Sequence, residues 1–110
     1  MKLIFNGPEN GPLFVFSHGA GAPLTSDFME QVSVGLALQG IRVARFNFNY
    51  MQLRVDTGSR RPPERAPHLI AQFIEVIEAL NQPMVIGGKS MGGRMATLVA
   101  AESEAELLKN

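Results

Sequence analysis

The sequence G-K-S-M-G occupies residues 88–92 of the 110-residue chain. It follows the apolar run P-M-V-I-G at 83–87 and precedes the helical pattern R-M-A-T-L-V-A-A at 94–101. A strand, a sharp turn with a serine at its apex and a helix make up the G-x-S-x-G pattern of a nucleophile elbow. The spacing therefore predicts that Ser90 stands exposed between a strand and a helix.

The chemistry of such a turn depends on residues without side chains and on backbone amides. Gly88 and Gly92 provide the clearance that a strained apex residue requires. The hydroxyl of Ser90 would lie at the positive end of the following helix, where the amide of Met91 can donate to an oxyanion on a substrate carbonyl. The motif thus predicts a nucleophile and one oxyanion donor in consecutive residues.

Two other interpretations of this motif have to be considered. A phosphate-binding loop also ends in G-K-S, but it needs a glycine five residues before the second glycine, and that position holds Pro83. The phosphate-loop interpretation is therefore excluded. A glycine-rich turn with an incidental serine stays open as the structural alternative.

The composition is that of an ordinary globular protein. The chain has 45% hydrophobic and 18% charged residues, and its ten basic residues balance ten acidic ones. Its length of 110 residues allows one domain at most. Nothing in this balance favours nucleic acid or a membrane as a partner. The chain lacks cysteine, which excludes disulfides and thiol chemistry, and no cluster of His, Asp or Glu has metal-ligand spacing, so neither a metal nor a cofactor is implied. We see no signal peptide or membrane span and expect a cytoplasmic location.

Apolar runs and helical spacings alternate along the chain. The strands are predicted at 3–5, 13–16, 41–47 and 83–87, and the helices at 25–40, 69–80 and 94–101. The continuous apolar run at 13–16 is typical of a strand that is buried on both faces, as in parallel sheets. The order of elements predicts an α/β fold of three layers, with a mostly parallel sheet of about four strands flanked by helices.

Residues 48–67 are predicted to form the longest irregular stretch. Between Arg42 and Arg65 there are six arginines against two acidic residues, which gives a local net charge of +4. One interpretation is a solvated loop held by its own ion pairs. The other is a substrate rim in which Arg60 and Arg61 favour an anionic group. Both interpretations stay open on the sequence alone.

Three motifs in this order resemble those of the α/β-hydrolase superfamily, in particular small bacterial predicted hydrolases. They are H-G-A-G at 18–21, R-F-N-F-N-Y-M at 45–51 and G-G-K-S-M-G-G-R at 87–94, so the resemblance covers nearly the whole chain. It implies a serine hydrolase that cleaves an ester, thioester or amide bond of a small molecule, with Ser90 as the nucleophile.

The resemblance also assigns roles within the H-G-A-G loop. The loop would supply the second oxyanion amide, from Ala20 or Gly19, beside the amide of Met91. The loop histidine, His18, would support the loop by hydrogen bonding, together with Gly21, and would not act as the general base. The other histidine, His68, is expected to be a surface or capping residue.

The chain departs from the family pattern after the elbow. The triad runs Ser, Asp or Glu, then His along the chain, yet neither histidine nor aspartate follows Ser90. We therefore expect residues 1–110 to be a single truncated domain, the N-terminal half of the fold, with the catalytic Asp and His beyond residue 110. Alone, it would be inactive. The outer edge of the strand at 83–87 would be unpaired, and we expect it to pair with another copy or to aggregate.

Three functional hypotheses follow. The first is the serine hydrolase. The second is a catalytically inactive hydrolase-like fragment or binding module, which the missing Asp and His favour. The third is an anion-binding domain that uses the helix N-terminus after the elbow and the arginine-rich stretch, without covalent chemistry.

Overall fold

A computed structural model of the protein describes the backbone of residues 1–109 and the side chains of residues 1–102. Its elements are, in chain order, β1 Leu3–Asn6, β2 Leu13–Ser17, α1 Asp27–Leu38, β3 Arg42–Phe46, α2 Asn49–Thr57, α3 Ala66–Leu80, β4 Val85–Gly88 and α4 Met91–Lys109. Within this described part, no helix has the length and apolar character needed to cross a membrane.

The four strands form one sheet in the order β1-β3-β2-β4. β1 runs antiparallel to β3, whereas β2 is parallel to both β3 and β4. Ser17, the last residue of β2, lies opposite Phe46 of β3 and Gly88 of β4. Three carboxyl ends therefore meet at one edge of the sheet, where α/β proteins place their sites. The predicted mostly parallel sheet of four strands is confirmed.

The helices cover both faces of the sheet. Successive side chains of β2 point to opposite faces of the sheet. Phe16 faces α1, where it packs with Val43 and Met29. Leu13 and Val15 face the other side, where they belong to a larger core with residues of α2, α3 and α4. The predicted three-layer architecture is thereby confirmed, and the larger core lies beneath the helix that follows the elbow.

The prediction of one irregular stretch at 48–67 was wrong. Residues Asn49–Thr57 form α2, and α3 already begins at Ala66. The apolar periodicity of α2 is weak, and it buries only Tyr50 and Met51. Gly58, with φ +74°, ends this helix in the left-handed region, which glycine adopts without steric cost.

Arg45, next to the last residue of β3, is a buried arginine. Its side chain is 2% exposed and forms an ion pair with Glu30 of α1, at 3.0 Å between Nη1 and Oε1. Nη1 also donates to the carbonyl of Leu24 at 2.8 Å, and Nη2 donates to Oδ1 of Asn6 at 2.7 Å. The charge is thus compensated, and the guanidinium joins α1 and β1 to the segment before α1.

β4 lies at the edge of the sheet and pairs with β2 alone among the described strands. Val85 on this strand is 66% exposed, which is unusual for valine in a parallel sheet. An edge strand presents unpaired backbone groups that can pair with another strand. Association of two copies through this edge stays a prediction.

The aromatic core between the sheet and α3 should contribute a large share of the stability. Phe73 of α3 is fully buried and meets the ring of Phe46 edge-on, at 5.2 Å between centroids. We expect Phe73→Ala to lower the free energy of unfolding by about 3–5 kcal/mol, because it leaves a cavity. Phe28→Ala is the matched control, and since Phe28 is 45% exposed its loss should be about 1 kcal/mol or less. Urea unfolding measures both, and equal losses would contradict this account of the core.

Candidate active site

The turn between β4 and α4 holds Ser90 in a backbone conformation that is rare for residues with a side chain. Its φ is +55°, in the left-handed region, which costs about 1–3 kcal/mol and persists only where the surroundings impose it. The amide of Lys89 donates to the carbonyl of Ser17 at 3.0 Å. The amides of Gly92 and Arg94 donate to the carbonyls of Lys89 and Ser90, each at 3.0 Å. These bonds fix the turn against β2 on one side and to α4 on the other.

Two glycines allow the turn to approach β2 this closely. A Cβ atom on Gly88 would collide with Oγ of Ser17 and would lie 2.6 Å from the carbonyl carbon of Gly92. A Cβ atom on Gly92 would lie 2.7 Å from the carbonyl oxygen of Ser17 and would collide with that of His18. No larger residue fits at either position without displacing the backbone.

Ser90 is exposed, and both the start of α4 and the H-G-A-G loop lie next to it. Met91 is the first residue of α4, so its N–H has no acceptor within the helix and lies at the positive end of the helix dipole. On the other side, a Cβ atom built on Gly19 would be 3.8 Å from Cβ of Ser90. The structure therefore brings together Ser90, Met91 and the loop that contains Gly19 and Ala20. Their roles as nucleophile and oxyanion donors stay predictions.

His18 is fully buried, and both of its ring nitrogens are engaged. The amide of Phe48 donates to Nε2 at 3.1 Å, so that nitrogen carries no proton. Nδ1 lies 2.6 Å from the carbonyl oxygen of Gly19, which can only accept, so Nδ1 is the protonated one. Burial lowers the pKa of His18, in keeping with a neutral ring. In this arrangement neither nitrogen is available to take a proton from Ser90.

Tyr50 and Arg54, both in α2, bind carbonyl groups of the H-G-A-G loop. Neither residue received a role in the sequence analysis. The hydroxyl of Tyr50 donates to the carbonyl of Ala20 at 3.0 Å and lies 3.8 Å from Sδ of Met91. Burial raises the pKa of Tyr50 to about 12, so the phenol stays protonated and remains a donor. Nη1 of Arg54 donates to the carbonyl of Gly21 at 3.0 Å. The pattern R-F-N-F-N-Y-M contained Tyr50, but its function could not be recognised without α2.

α2 is itself held by a side chain from α3. Oε1 of Gln72 accepts from the amide of Asn49 at 2.9 Å, at the first residue of α2. Nε2 of Gln72 donates to the Glu64 carboxylate at 3.0 and 3.1 Å. The chain of contacts thus runs from α3 through α2 to the loop beside Ser90.

Arg60 and Arg61 lie with Arg54 along an open cleft of about 440 Å³ beside the same loop. The interpretation of this region as a loop held by its own ion pairs is not supported, because the acidic residues in it face amides. Asp56 accepts from Nε2 of Gln52, as Glu64 does from Gln72. Over residues 1–102 the ion pair found is that of Arg45 in the core.

The described part of the chain holds no evident base for Ser90. Among the side chains of residues 1–102, none forms a hydrogen bond with Oγ of Ser90, and His68 is exposed in the first turn of α3. In the same residues, no three His, Asp or Glu side chains converge in a way that could bind a metal ion.

A strand, a strained serine turn and a helix, beside a glycine-containing loop at the carboxyl edge of a mostly parallel sheet, form the arrangement typical of α/β hydrolases. The family model "Alpha/beta hydrolase domain" matches residues 10–108, and the chain belongs to this family. Comparison with curated protein sequences gives no match.

Solved structures with this fold include esterases and thioesterase domains. The chain is similar to the thioesterase domain from the curacin biosynthetic pathway, with 24% identity, a TM-score of 0.65, and coverage of 89% of this chain and 36% of that one. It is also similar to Est1E from Butyrivibrio proteoclasticus, with 18% identity, a TM-score of 0.69, and coverage of 92% of this chain and 40% of that one. A third similar structure is the NocB thioesterase domain in covalent complex with a fluorophosphonate nocardicin G analog. Its identity is 22% and its TM-score is 0.64, with coverage of 96% of this chain and 43% of that one. The chain thus spans less than half the length of each of these structures.

The close packing of the elbow can be tested with a single methyl group. We expect Gly88→Ala to lower the free energy of unfolding by about 1–3 kcal/mol, because the added Cβ meets Ser17 and Gly92. Gly35→Ala in α1 is the control, since a Cβ there has nothing within 4 Å and alanine favours the helix. It should raise stability by up to about 1 kcal/mol. Urea unfolding of both variants checks this, and an unchanged Gly88→Ala protein would contradict the geometry.

The neutral state of His18 should make stability depend on pH. The pKa of His18 in the folded state is lower than 6.5, the ordinary value of histidine that applies to the unfolded chain, so below pH 6.5 the unfolded state binds more protons. The His18 contribution is therefore fully present above pH 6.5 and is lost as the pH falls below it, by at most about 1.4 kcal/mol per pH unit. Urea unfolding between pH 7.5 and 5 measures this slope.

The two histidines of the chain provide the comparison for this slope. In His18→Asn the slope should be smaller, whereas His68→Asn should keep it, since His68 is exposed. Equal slopes in the wild type and His18→Asn would show that His18 is not held neutral by the fold.

Proposed function

We propose that the protein is a serine hydrolase that acts on an ester, thioester or amide bond of a small molecule, with Ser90 as its nucleophile. One observation carries the proposal: Ser90 is exposed at φ +55° in the turn between β4 and α4. A rare conformation that tight packing enforces points to function. Membership in the α/β-hydrolase family and the fold shared with esterases and thioesterase domains support the reaction class.

In the proposed reaction, Oγ of Ser90 attacks the substrate carbonyl and the carbonyl oxygen becomes an oxyanion. The amide of Met91 and an amide of Gly19 or Ala20 stabilise that charge, and each such donor is worth about 10²–10³ in rate. His18 and Gly21 support the loop, since His18 uses both ring nitrogens for this purpose. Gly88 and Gly92 provide the space for the elbow.

The general base and its carboxylate partner are the parts that we place outside these 110 residues. Neither histidine nor aspartate follows Ser90 in the sequence, and a serine hydroxyl without a base is a weak nucleophile at neutral pH. We propose that residues 1–110 are the first part of one hydrolase domain, consistent with their spanning 36–43% of the similar solved structures. The unpaired edge of β4 is where the fold would continue, or where a second copy would pair.

Covalent labelling tests whether Ser90 is a nucleophile. A fluorophosphonate probe, with imidazole added as an external base, should give one adduct, found by intact mass and located at Ser90 by peptide mapping. The adduct should be absent in Ser90→Ala. Imidazole should accelerate labelling, because it supplies the proton acceptor that the described residues lack.

Ser59→Ala is the matched control for this experiment, because Ser59 is an exposed serine outside the elbow. It should be labelled like the wild type. Labelling at several serines with similar rates, or an unchanged adduct in Ser90→Ala, would show that Ser90 is an ordinary surface serine. An inactive hydrolase-like binding module would then be the better description of the chain.

A further inference from the structure

The cleft beside the H-G-A-G loop combines backbone groups with several guanidinium groups. It has a volume of about 440 Å³ and is open to solvent. The lining residues are Ala20, Gly21, Arg54, Arg60, Arg61 and Pro62. One wall of the cleft is therefore the H-G-A-G loop, and another wall is formed by α2 and the segment that follows it.

The cleft adjoins the serine turn. Gly19 approaches Cβ of Ser90, and the next residue, Ala20, already lines the cleft. The hydroxyl of Tyr50 contacts both the carbonyl of Ala20 and Sδ of Met91, which fixes the cleft wall relative to the start of α4. The cleft and the serine turn therefore share the H-G-A-G loop, which contacts Ser90 at Gly19 and lines the cleft at Ala20 and Gly21.

Among the side chains of residues 1–102, no acidic group forms an ion pair with the arginines of the cleft. Arg54 donates instead to a backbone carbonyl, that of Gly21. The acidic residues of the same region, Asp56 and Glu64, are bound by the amides of glutamines. The ion pair seen within residues 1–102 involves Arg45, which lies in the core and not in the cleft.

We infer that this cleft binds an anionic group, a carboxylate or a phosphate, carried by the substrate of the hydrolase. A guanidinium presents planar pairs of N–H donors that match both kinds of anion. With its anion held by Arg60 and Arg61, the substrate would have its scissile carbonyl directed towards the loop and Ser90. The inference rests on the proposed function, since it names the class of substrate for the same site.

The test measures binding without catalysis, in the full chain carrying Ser90→Ala. The probes are N-ethylsuccinamate, its uncharged diamide N-ethylsuccinamide, and inorganic phosphate, each titrated by NMR at low and high salt. We expect the carboxylate probe to bind about tenfold more tightly than the diamide, with an affinity that falls as salt rises. Equal affinity for the two probes would overturn the inference.

Variants that remove positive charge inside or outside the cleft locate the site. Arg60→Gln with Arg61→Gln should remove most of the preference for the carboxylate probe. Arg42→Gln should retain it, because the Arg42 guanidinium lies 4.3 Å from the centre of the Phe5 ring, away from the cleft. The same loss in Arg42→Gln would mean a non-specific charge effect and would overturn the inference.

Two further measurements, phosphate binding and covalent labelling, separate this inference from its alternatives. Inorganic phosphate should displace the carboxylate probe, because both anions would bind the same guanidinium groups, and simultaneous binding of the two probes would contradict a shared anion site. Fluorophosphonate labelling of Ser90 is measured separately in the wild type. Preserved anion binding without that labelling would contradict the hydrolase function alone and would favour an anion-binding domain.

Discussion

The approach of the turn after β4 to the end of β2 is the constraint on which the rest of this structure depends. Parallel pairing places Gly88 opposite Ser17, and the amide of Lys89 then reaches the carbonyl of Ser17. This contact is possible only because Gly88 and Gly92 lack Cβ atoms. It fixes the start of α4 next to the residues that follow β2, so one steric condition positions both Ser90 and the loop beside it.

The H-G-A-G loop is held in place by its own histidine and by a side chain of α2. The neutral ring of His18 donates to the carbonyl of Gly19 and accepts from the amide of Phe48. The hydroxyl of Tyr50, in α2, donates to the carbonyl of Ala20. These contacts, all within the protein, hold the loop next to Ser90. The same bonds engage both ring nitrogens of His18.

The elbow could be predicted from the sequence because its requirements are local: a serine, glycines at fixed spacing, and a strand and a helix on either side. α2 could not be, because the side chain that binds its first amide comes from Gln72, 23 residues further on. For the same reason the ion-pair interpretation of the arginine-rich stretch was wrong. Sequence gives the charges of Asp56 and Glu64, but their partners are set by the packing of α2 and α3.

The contacts that position Ser90 and those that would move its proton belong to different parts of a hydrolase. In this chain the strained φ, the glycine clearances and the bonds of the loop all arise between residues 17 and 94. None of these contacts uses a proton acceptor for Oγ of Ser90, so the conformation of the turn and the position of the loop are set within the described residues. The strain at Ser90 thus follows from the pairing of β2 with β4 and from the glycine clearances that let the turn approach Ser17.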